Sequence, residues 1–441
     1  MTITATNRKW LSESRYGLFI HFGLYSVAAR HEWVQTLEEV SIKEYKKYFE
    51  QFNPDLLDAK KWAKKAKDAG FKYVIITAKH HEGFCLWDSK ETPYKVTNTP
   101  YKRDLLGELI QAFREEGLKI GIYYSLLDWH HPDFLVDGYH PMRNNSEYKA
   151  IHKGNMENYR AFMSAQVKEL LTNYGLIDYM WFDFSYKSRD WGTSIGKGAD
   201  DWGSVELEKM IYSIQPNIFI NDRLGLNRGV QTPEQFARSK GMENEEDIWE
   251  TVQTLNNSWG YDRDNLTFKS SEMVAKQLVD TVSKGGNFTM NIGPNARGIW
   301  DDNSDEILAK VGEWLGRHGD SIYGATRSSY PAPLDCRYTQ KGNKLFLHIF
   351  SWPYRTILLP ALGGKVSFAR LLNDGSEIRF TDTKNLGGDR KATTNLYKEI
   401  TEVHIKEALD STMLMLNVPI HEPNELISVI ELTLKEDDKW G

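Results

Sequence analysis

A single carboxylate closes an otherwise apolar strand signal, Tyr179-Met-Trp-Phe-Asp183. A buried ionised carboxylate is costly unless fixed donors solvate it or it has chemistry to perform. On one reading Asp183 caps the next element; on the other it is a reacting group. Cleavage of a glycosidic bond needs an ionised carboxylate as nucleophile and a protonated one as acid, about 5 Å apart when configuration is retained. Asp183 suits the first role. For the second there are two candidates, Glu234 in Thr232-Pro-Glu-Gln235 and Glu250 in Trp249-Glu250. The acidic run Glu243–Asp247 reads as a solvated loop.

His80-His81-Glu82 follows the apolar run Val74-Ile-Ile-Thr-Ala-Lys79. Adjacent strand residues point to opposite faces, so neighbouring histidines rarely chelate one metal from within a strand. At the strand's end the chain turns, and both rings can serve as hydrogen-bond donors to hydroxyls; alternatively one ring lies in a pocket and the other in its wall. His130-His131-Pro-Asp133 is a second pair, equally readable as loop structure. His21, Glu32, Trp33, Trp87, Tyr124 and Trp181 stand near successive strand ends. Each alone reads as core as readily as ligand wall, and only their collective placement is a signal. A metal-dependent hydrolase built on His21, His80 and Asp183 would want ligand pairs such as His-x-His, but the first strand offers His21-Phe-Gly. No metal and no cofactor are therefore expected.

The elements that must position these groups alternate along the chain. Strand signals cover Gly17–Phe22, Tyr73–Ala78, Ile120–Leu126, Tyr179–Phe184, Ile218–Asn221 and Phe288–Ile292. Helical patterns lie among them at Leu57–Ala69, Leu105–Glu116, Met156–Tyr174, Val205–Ile214, Ser271–Ser283 and Ser304–His318. The strands are apolar without strict alternation, as in a parallel sheet covered on both faces. Polar residues cluster at strand C-termini: His21, His80, His81, Asp128, Asp183 and Asn221-Asp-Arg223. A barrel gathers all such ends at one mouth. A doubly wound sheet would instead open with a glycine-rich turn, and His21-Phe-Gly-Leu-Tyr25 is not one. The reading is an α/β fold, a (β/α)8-like, TIM-type barrel over residues 1–326. After that, short strand signals between Gly, Asp, Asn and Pro clusters predict a C-terminal antiparallel β-sandwich over residues 327–441.

Composition agrees with these readings. The 441 residues are 40% hydrophobic and 26% charged, with a net charge of −6, so no nucleic-acid footprint appears. Fourteen Trp and 22 Tyr supply rings on which sugar C–H faces can stack. Cys85 and Cys336 show no disulfide or metal spacing. No apolar run approaches the roughly 20 residues that span a bilayer, so no membrane partner is expected. The first residues lack the apolar core of a secretory signal, so the expected location is cytoplasmic, or secreted if a signal was trimmed. The Tyr186–Ser204 segment carries Trp191 and Trp202 among Gly, Asp and Ser, and is expected to cover the pocket or to dock on a second copy in a homo-oligomer.

Taken together the motifs resemble the α-L-fucosidases of glycoside hydrolase family 29, from residue 10 to about residue 325. The resemblance rests on Phe19-Ile-His-Phe-Gly-Leu-Tyr25, Glu32-Trp33, Ala78-Lys-His-His-Glu-Gly-Phe84, Trp87-Asp-Ser89 and Gly121-Ile-Tyr-Tyr-Ser125. It continues through Trp181-Phe-Asp183, Asn221-Asp-Arg223, Thr232-Pro-Glu234, Trp249-Glu250, Ser258-Trp-Gly-Tyr261, Ser283-Lys-Gly-Gly-Asn287 and Asn291-Ile-Gly-Pro294. Gly229-Val-Gln231 departs from the Gly-Asp-Phe-x run usual before this Thr-Pro-Glu. The resemblance implies a barrel, often irregular, followed by a sandwich, and a metal-free retaining exo-α-L-fucosidase acting on fucosylated glycans or glycosides. It puts Asp183 in the nucleophile's place and Glu234 in the acid/base's, with Glu250 the alternative. His21, His80, His81, Tyr124 and Trp181 take fucose-contacting places, and Glu32, Trp33 and Arg223 line the same pocket. The competing readings are the metal-dependent hydrolase, a non-catalytic sugar-binding protein, and a relative acting on another sugar such as an L-galactoside.

Overall fold

Seven parallel strands form one sheet: β1 (Tyr16–Ile20), β2 (Tyr73–Lys79), β3 (Lys119–Ser125), β4 (Tyr179–Asp183), β5 (Phe219–Ile220), β6 (Glu250–Thr254) and β7 (Asn287–Ile292), in the order β5-β4-β3-β2-β1-β7-β6. These are seen in a computed structural model that describes residues 5–186, 190–191, 194–242, 247–383, 412–423 and 426–435. Residues 243–246 of the acidic run and the side chain of Trp191 lie outside that description.

The two sheet edges, β5 and β6, are joined by the segment from Val230 to Gln235. It bridges in parallel from Asn221 to Val230, from Gln231 to Trp249 and from Glu234 to Val252. Val230 N donates to Ile220 O (3.0 Å) on one side, and Glu250 N donates to Gln231 O (2.8 Å) on the other. This segment is the eighth stave, and it makes the sheet the expected (β/α)-barrel. Asn221 extends the short β5 with its side chain, its amide accepting from Phe182 N (2.9 Å) and donating to Phe182 O (2.8 Å).

The interior is filled by Phe19, Tyr73, Ile75, Tyr123, Tyr179, Trp181, Phe219, Val230 and Val252. Gly17 on β1 leaves room for the ring of Tyr73; a Cβ there would stand 2.2 Å from Tyr73 Cζ. Amphipathic helices at Ala59–Asp68, Leu105–Glu115 and Met156–Asn173 turn apolar faces inward, and each begins at a side-chain cap: Asp58, Asp104 and Asn155. Strand β6 was not expected, because Glu-Thr-Val-Gln-Thr carries no apolar run. All five residues are nevertheless buried, their polar atoms satisfied by hydrogen bonds.

The chain divides into two compact units: residues 1–236, 243–269 and 287–310, and residues 237–242, 270–286 and 311–441. The second contains two antiparallel sheets. The first is built from β8 (Cys336–Lys341), β9 (Lys344–Ile349), β11 (Val366–Leu371) and β14 (Ser428–Leu434) in the order β8-β9-β14-β11. In the second sheet, β13 (Leu414–Asn417) lies between β10 (Thr356–Leu359) and β12 (Arg379–Asp382). Leu345, Leu347, Leu359, Leu414, Leu416, Ile430 and Leu432 form the core of this unit, as the sandwich reading requires. Among the described residues no helix is long and apolar enough to cross a membrane.

Trp202 is buried within the first unit. Its Nε1 donates to Ser185 Oγ (3.1 Å) and its ring stacks at 6.4 Å from Phe134.

Two glycine substitutions test the packing with opposite signs. Gly17→Ala should lower the unfolding free energy by about 1–3 kcal/mol, because the rigid Tyr73 ring cannot yield. Gly316→Ala lies in the helix Asp302–His318 with nothing within 4 Å of the added Cβ, and should raise it by about 1 kcal/mol. Denaturant unfolding of both variants reads the difference.

Candidate active site

Asp183 ends β4 at the barrel mouth. Trp181 and Asp183, two residues apart, share the inward face. Parallel register carries that face to β3, where Tyr123 pairs with Trp181 and Tyr124 with Phe182. It is therefore Tyr123 that reaches the site, its hydroxyl donating to Asp183 Oδ2 (2.9 Å). Tyr124, expected from sequence to contact ligand, points the other way and donates to Gln166 Oε1 (2.8 Å). The pleat decides this correction: one residue along a strand changes the face.

Asp183 Oδ1 accepts from Phe184 N (3.0 Å) and from Arg223 Nη1 (2.8 Å). With Tyr123, three fixed donors take the place of water around this carboxylate. Arg223 sits in the turn after β5 and also donates through Nη2 to Glu234 Oε2 (2.9 Å). Two further bonds, from Nε to Thr232 Oγ1 (3.1 Å) and from Nη2 to Thr232 O (3.0 Å), fix its plane. Its guanidinium carbon lies 4.5 Å from the centre of the Trp181 ring. Burial works against the charge of Arg223, but the two carboxylates more than offset this and raise its pKa. Glu234 reaches the site because the closing stave ends there. Partial burial raises its pKa, Arg223 opposes that rise, and the charge of Asp183 adds to it.

Both groups line a cavity of about 680 Å³, together with His21, Trp33, His80, His81, Trp181 and Arg223. The structure thus brings together eight of the residues picked from sequence. Burial lowers the pKa values of His21 and His81, so both rings are neutral at pH 7. His21 Nδ1 lies 2.6 Å from Asn291 Oδ1, whose amide nitrogen donates to Trp259 O (2.7 Å). The proton therefore sits on Nδ1, leaving Nε2 of His21 an acceptor. His81 Nδ1 meets Ser125 Oγ (2.7 Å), which donates onward to Leu127 O, so the same tautomer follows. The expected donor role of His81 becomes an acceptor role, and His21 presents an acceptor as well.

Glu32 does not line the cavity. It accepts from the backbone N–H of Trp259 (3.2 Å) and Gly260 (2.8 Å), and so anchors the loop that brings Trp259 to the wall. Glu250 is fully buried in the barrel interior. One oxygen accepts from Trp181 Nε1 (3.2 Å), and the other from the hydroxyls of Tyr73 and Thr289. It is outside the cavity lining, and the indole N–H of Trp181 is committed to it. Trp87 donates to Glu169, and the N–H groups of His130 and His131 donate to Asp128, so these belong to the scaffold. Tyr123, Phe184 and Trp259 line the cavity and were missed. Alternation counted back from Asp183, then carried across the register, was the signal that would have found Tyr123.

The family described as Alpha-L-fucosidase matches residues 2–320 of this chain. A tissue α-L-fucosidase of Rattus norvegicus is 30% identical, over 78% of this chain and 76% of the relative. Among solved structures, α-L-fucosidase isoenzyme 1 from Paenibacillus thiaminolyticus is similar at 42% identity, with a TM-score of 0.88 over 98% of this chain and 99% of that one. A Bacteroides thetaiotaomicron α-L-fucosidase, trapped as a covalent intermediate with 2-fluoro-fucosyl fluoride, is similar at 29% identity and a TM-score of 0.80, over 98% and 97%.

The interior carboxylate is open to a stability test. Glu250→Ala would strand three buried donors and should cost about 3 kcal/mol or more. Glu250→Gln should cost less, since its oxygen can still serve Trp181 while the hydroxyls turn to accept from its amide. Because burial raises the pKa of Glu250 on folding, its contribution is full at low pH and falls as pH rises through the folded value. Unfolding free energies measured across pH should show that decline in the wild type and a flatter curve in Glu250→Gln.

Proposed function

The chain belongs to the α-L-fucosidase family of glycoside hydrolases, and from that membership we propose a retaining exo-α-L-fucosidase with Asp183 as nucleophile and Glu234 as acid/base. The observation that carries this reading is that both carboxylates hang on one guanidinium inside one cavity. In that arrangement they serve opposite ends of one bond.

Asp183 is held by Tyr123, Arg223 and the Phe184 N–H, donors that fix the carboxylate and aim an oxygen at the anomeric carbon. Attack breaks the bond to the leaving oxygen, which takes the proton of Glu234. Glu234 then receives a proton from water as that water displaces Asp183 from the sugar, with the configuration retained. Arg223 contacts both groups throughout, so it can follow the charge as it moves from one to the other. The hydroxyls of a fucosyl ring donate to the Nε2 acceptors of His21 and His81. Its methyl takes the apolar surface of Phe19, Trp181 and Val252. We place the reaction in residues 1–326, with 327–441 as an accessory sandwich.

The purified protein should hydrolyse an aryl α-L-fucoside with a bell-shaped pH dependence of kcat/KM. Its alkaline limb follows Glu234, whose raised pKa keeps it protonated above the ordinary carboxylate range. No turnover by folded protein between about pH 4 and 9 would rule the proposal out.

The two carboxylates separate by substitution. Asp183→Ala should lose activity on every fucoside, on the order of 10⁴-fold, and added azide should yield the inverted β-L-fucosyl azide. Glu234→Ala should lose about 10²–10⁴-fold on poor leaving groups and far less on activated aryl ones, with azide giving the retained α-product. Equal losses on both classes of leaving group would remove Glu234 from this role.

A further inference from the structure

The cavity of about 680 Å³ is larger than one deoxyhexose needs, and its lining is of two kinds. Strand residues such as Tyr123, Trp181 and Asp183 make the floor. Loop residues Trp33, Tyr139, Phe184 and Tyr186 make a wall on the mouth side, where a barrel opens. An exo-enzyme that seats the terminal sugar on the floor must lead the rest of its substrate past this wall.

The wall is a connected set of rings. Tyr139 packs at 4.9 Å from Phe184 and 4.8 Å from Tyr186, in edge-to-face geometry, and Trp33 lies 5.2 Å from Phe184. Phe184 directly follows Asp183 and is held at φ +77°, a left-handed conformation that a bulky residue rarely adopts. That strain turns its ring beside His81 and into the cavity wall, 4.6 Å from the imidazole.

Beneath the rings lies a buried ion pair. Lys197 Nζ donates to Asp137 Oδ2 (2.7 Å) and to Leu135 O (2.8 Å). The Tyr186 hydroxyl donates to the same Asp137 oxygen, and the other accepts from Tyr139 N (2.9 Å). Tyr186 N donates back to Lys197 O (2.7 Å). One buried carboxylate therefore ties two of the four rings to a common point. Such an arrangement is an expensive way to fill a loop, and it supplies rigidity.

We propose that Trp33, Tyr139, Phe184 and Tyr186 form a leaving-group subsite that stacks on the C–H face of a pyranose ring attached to the scissile oxygen. This deepens the proposed function and rests on it. Polar groups for the hydroxyls of that ring stand beside the wall. Ser185 Oγ accepts from Trp202 Nε1 and keeps its own proton to donate, and Asn227 lines the same cavity. An aromatic wall bordered by hydroxyl partners suits a sugar better than a purely apolar aglycone.

The test compares kcat/KM on an α-L-fucosyl pyranoside disaccharide with that on α-L-fucosyl fluoride, whose leaving group reaches no wall. In full-length Tyr139→Ala the ratio of the first to the second should fall about ten-fold, the size of one stacking contact. Tyr139→Phe, which keeps the ring and the fold, should hold the ratio within about two-fold. An unchanged ratio in Tyr139→Ala overturns the subsite, and so do parallel losses on both substrates, which would make Tyr139 a support of the floor. A fall on an aryl fucoside without one on the disaccharide overturns the assignment to a sugar. If the wild type turns over neither substrate, it is the fucosidase reading that fails.

Discussion

Two carboxylates facing one cavity repel each other, and that repulsion adds to burial in raising the pKa of Glu234. The guanidinium of Arg223 lets them coexist. Nη1 serves Asp183, Nη2 serves Glu234, and Nε and Nη2 also donate to Thr232. A lysine could not replace it, because a point charge has no fork to hold two partners in fixed directions while a third fixes its plane. Whatever alters the seat of Arg223 alters both carboxylates at once.

That seat is built downward through the barrel. The guanidinium lies on the face of Trp181, which also stacks on Tyr123, the second side-chain donor to Asp183. The edge of Trp181 is held by Glu250, and Glu250 by Tyr73 and Thr289 from two other strands. Tyr73 fits across the interior only because residue 17 has no side chain. A carboxylate in this position is costly to bury, yet it gathers donors from three strands where an apolar residue would gather none. The polar interior thus connects the glycine of the first strand to Asp183 on the fourth.

Closure of the barrel matters for the same reason. β5 has only two residues, and the stave from Val230 to Gln235 is joined by isolated bridges rather than a long ladder. This irregular corner carries Arg223 at one end and Glu234 at the other. The local departure from the usual run before Thr232 therefore falls on backbone whose bridges still hold Glu234 at the cavity. Loops set on the rim of a rigid ring are where such variation is tolerated.

Much was legible in the chain itself. The apolar strands, the capped amphipathic helices and the polar residues at strand ends point to a barrel, because burial on both faces and convergence at one mouth leave their mark on residue order. The change of texture near residue 326 marks the strands of the sandwich in the same way. Asp183, Arg223 and three of the histidines could be picked because polar groups at the ends of apolar strands demand a reason, whereas Glu234 was one of two candidates and was preferred only through the family resemblance. What could not be read is whatever depends on side-chain direction and on distant partners. Tyr123 and Tyr124 are indistinguishable until the pleat and register give each a face. Glu234 and Glu250 are both glutamates in the same stretch of chain, and only the bonds from Tyr73, Trp181 and Thr289 draw one of them into the interior. The strand Glu250–Thr254 is too polar to announce itself, since its polar atoms are satisfied by residues far away in sequence. Whether His21 donates or accepts likewise rests on Asn291, 270 residues distant. Sequence order carries the periodicity of burial; hydrogen-bond partners meet only when the ring closes.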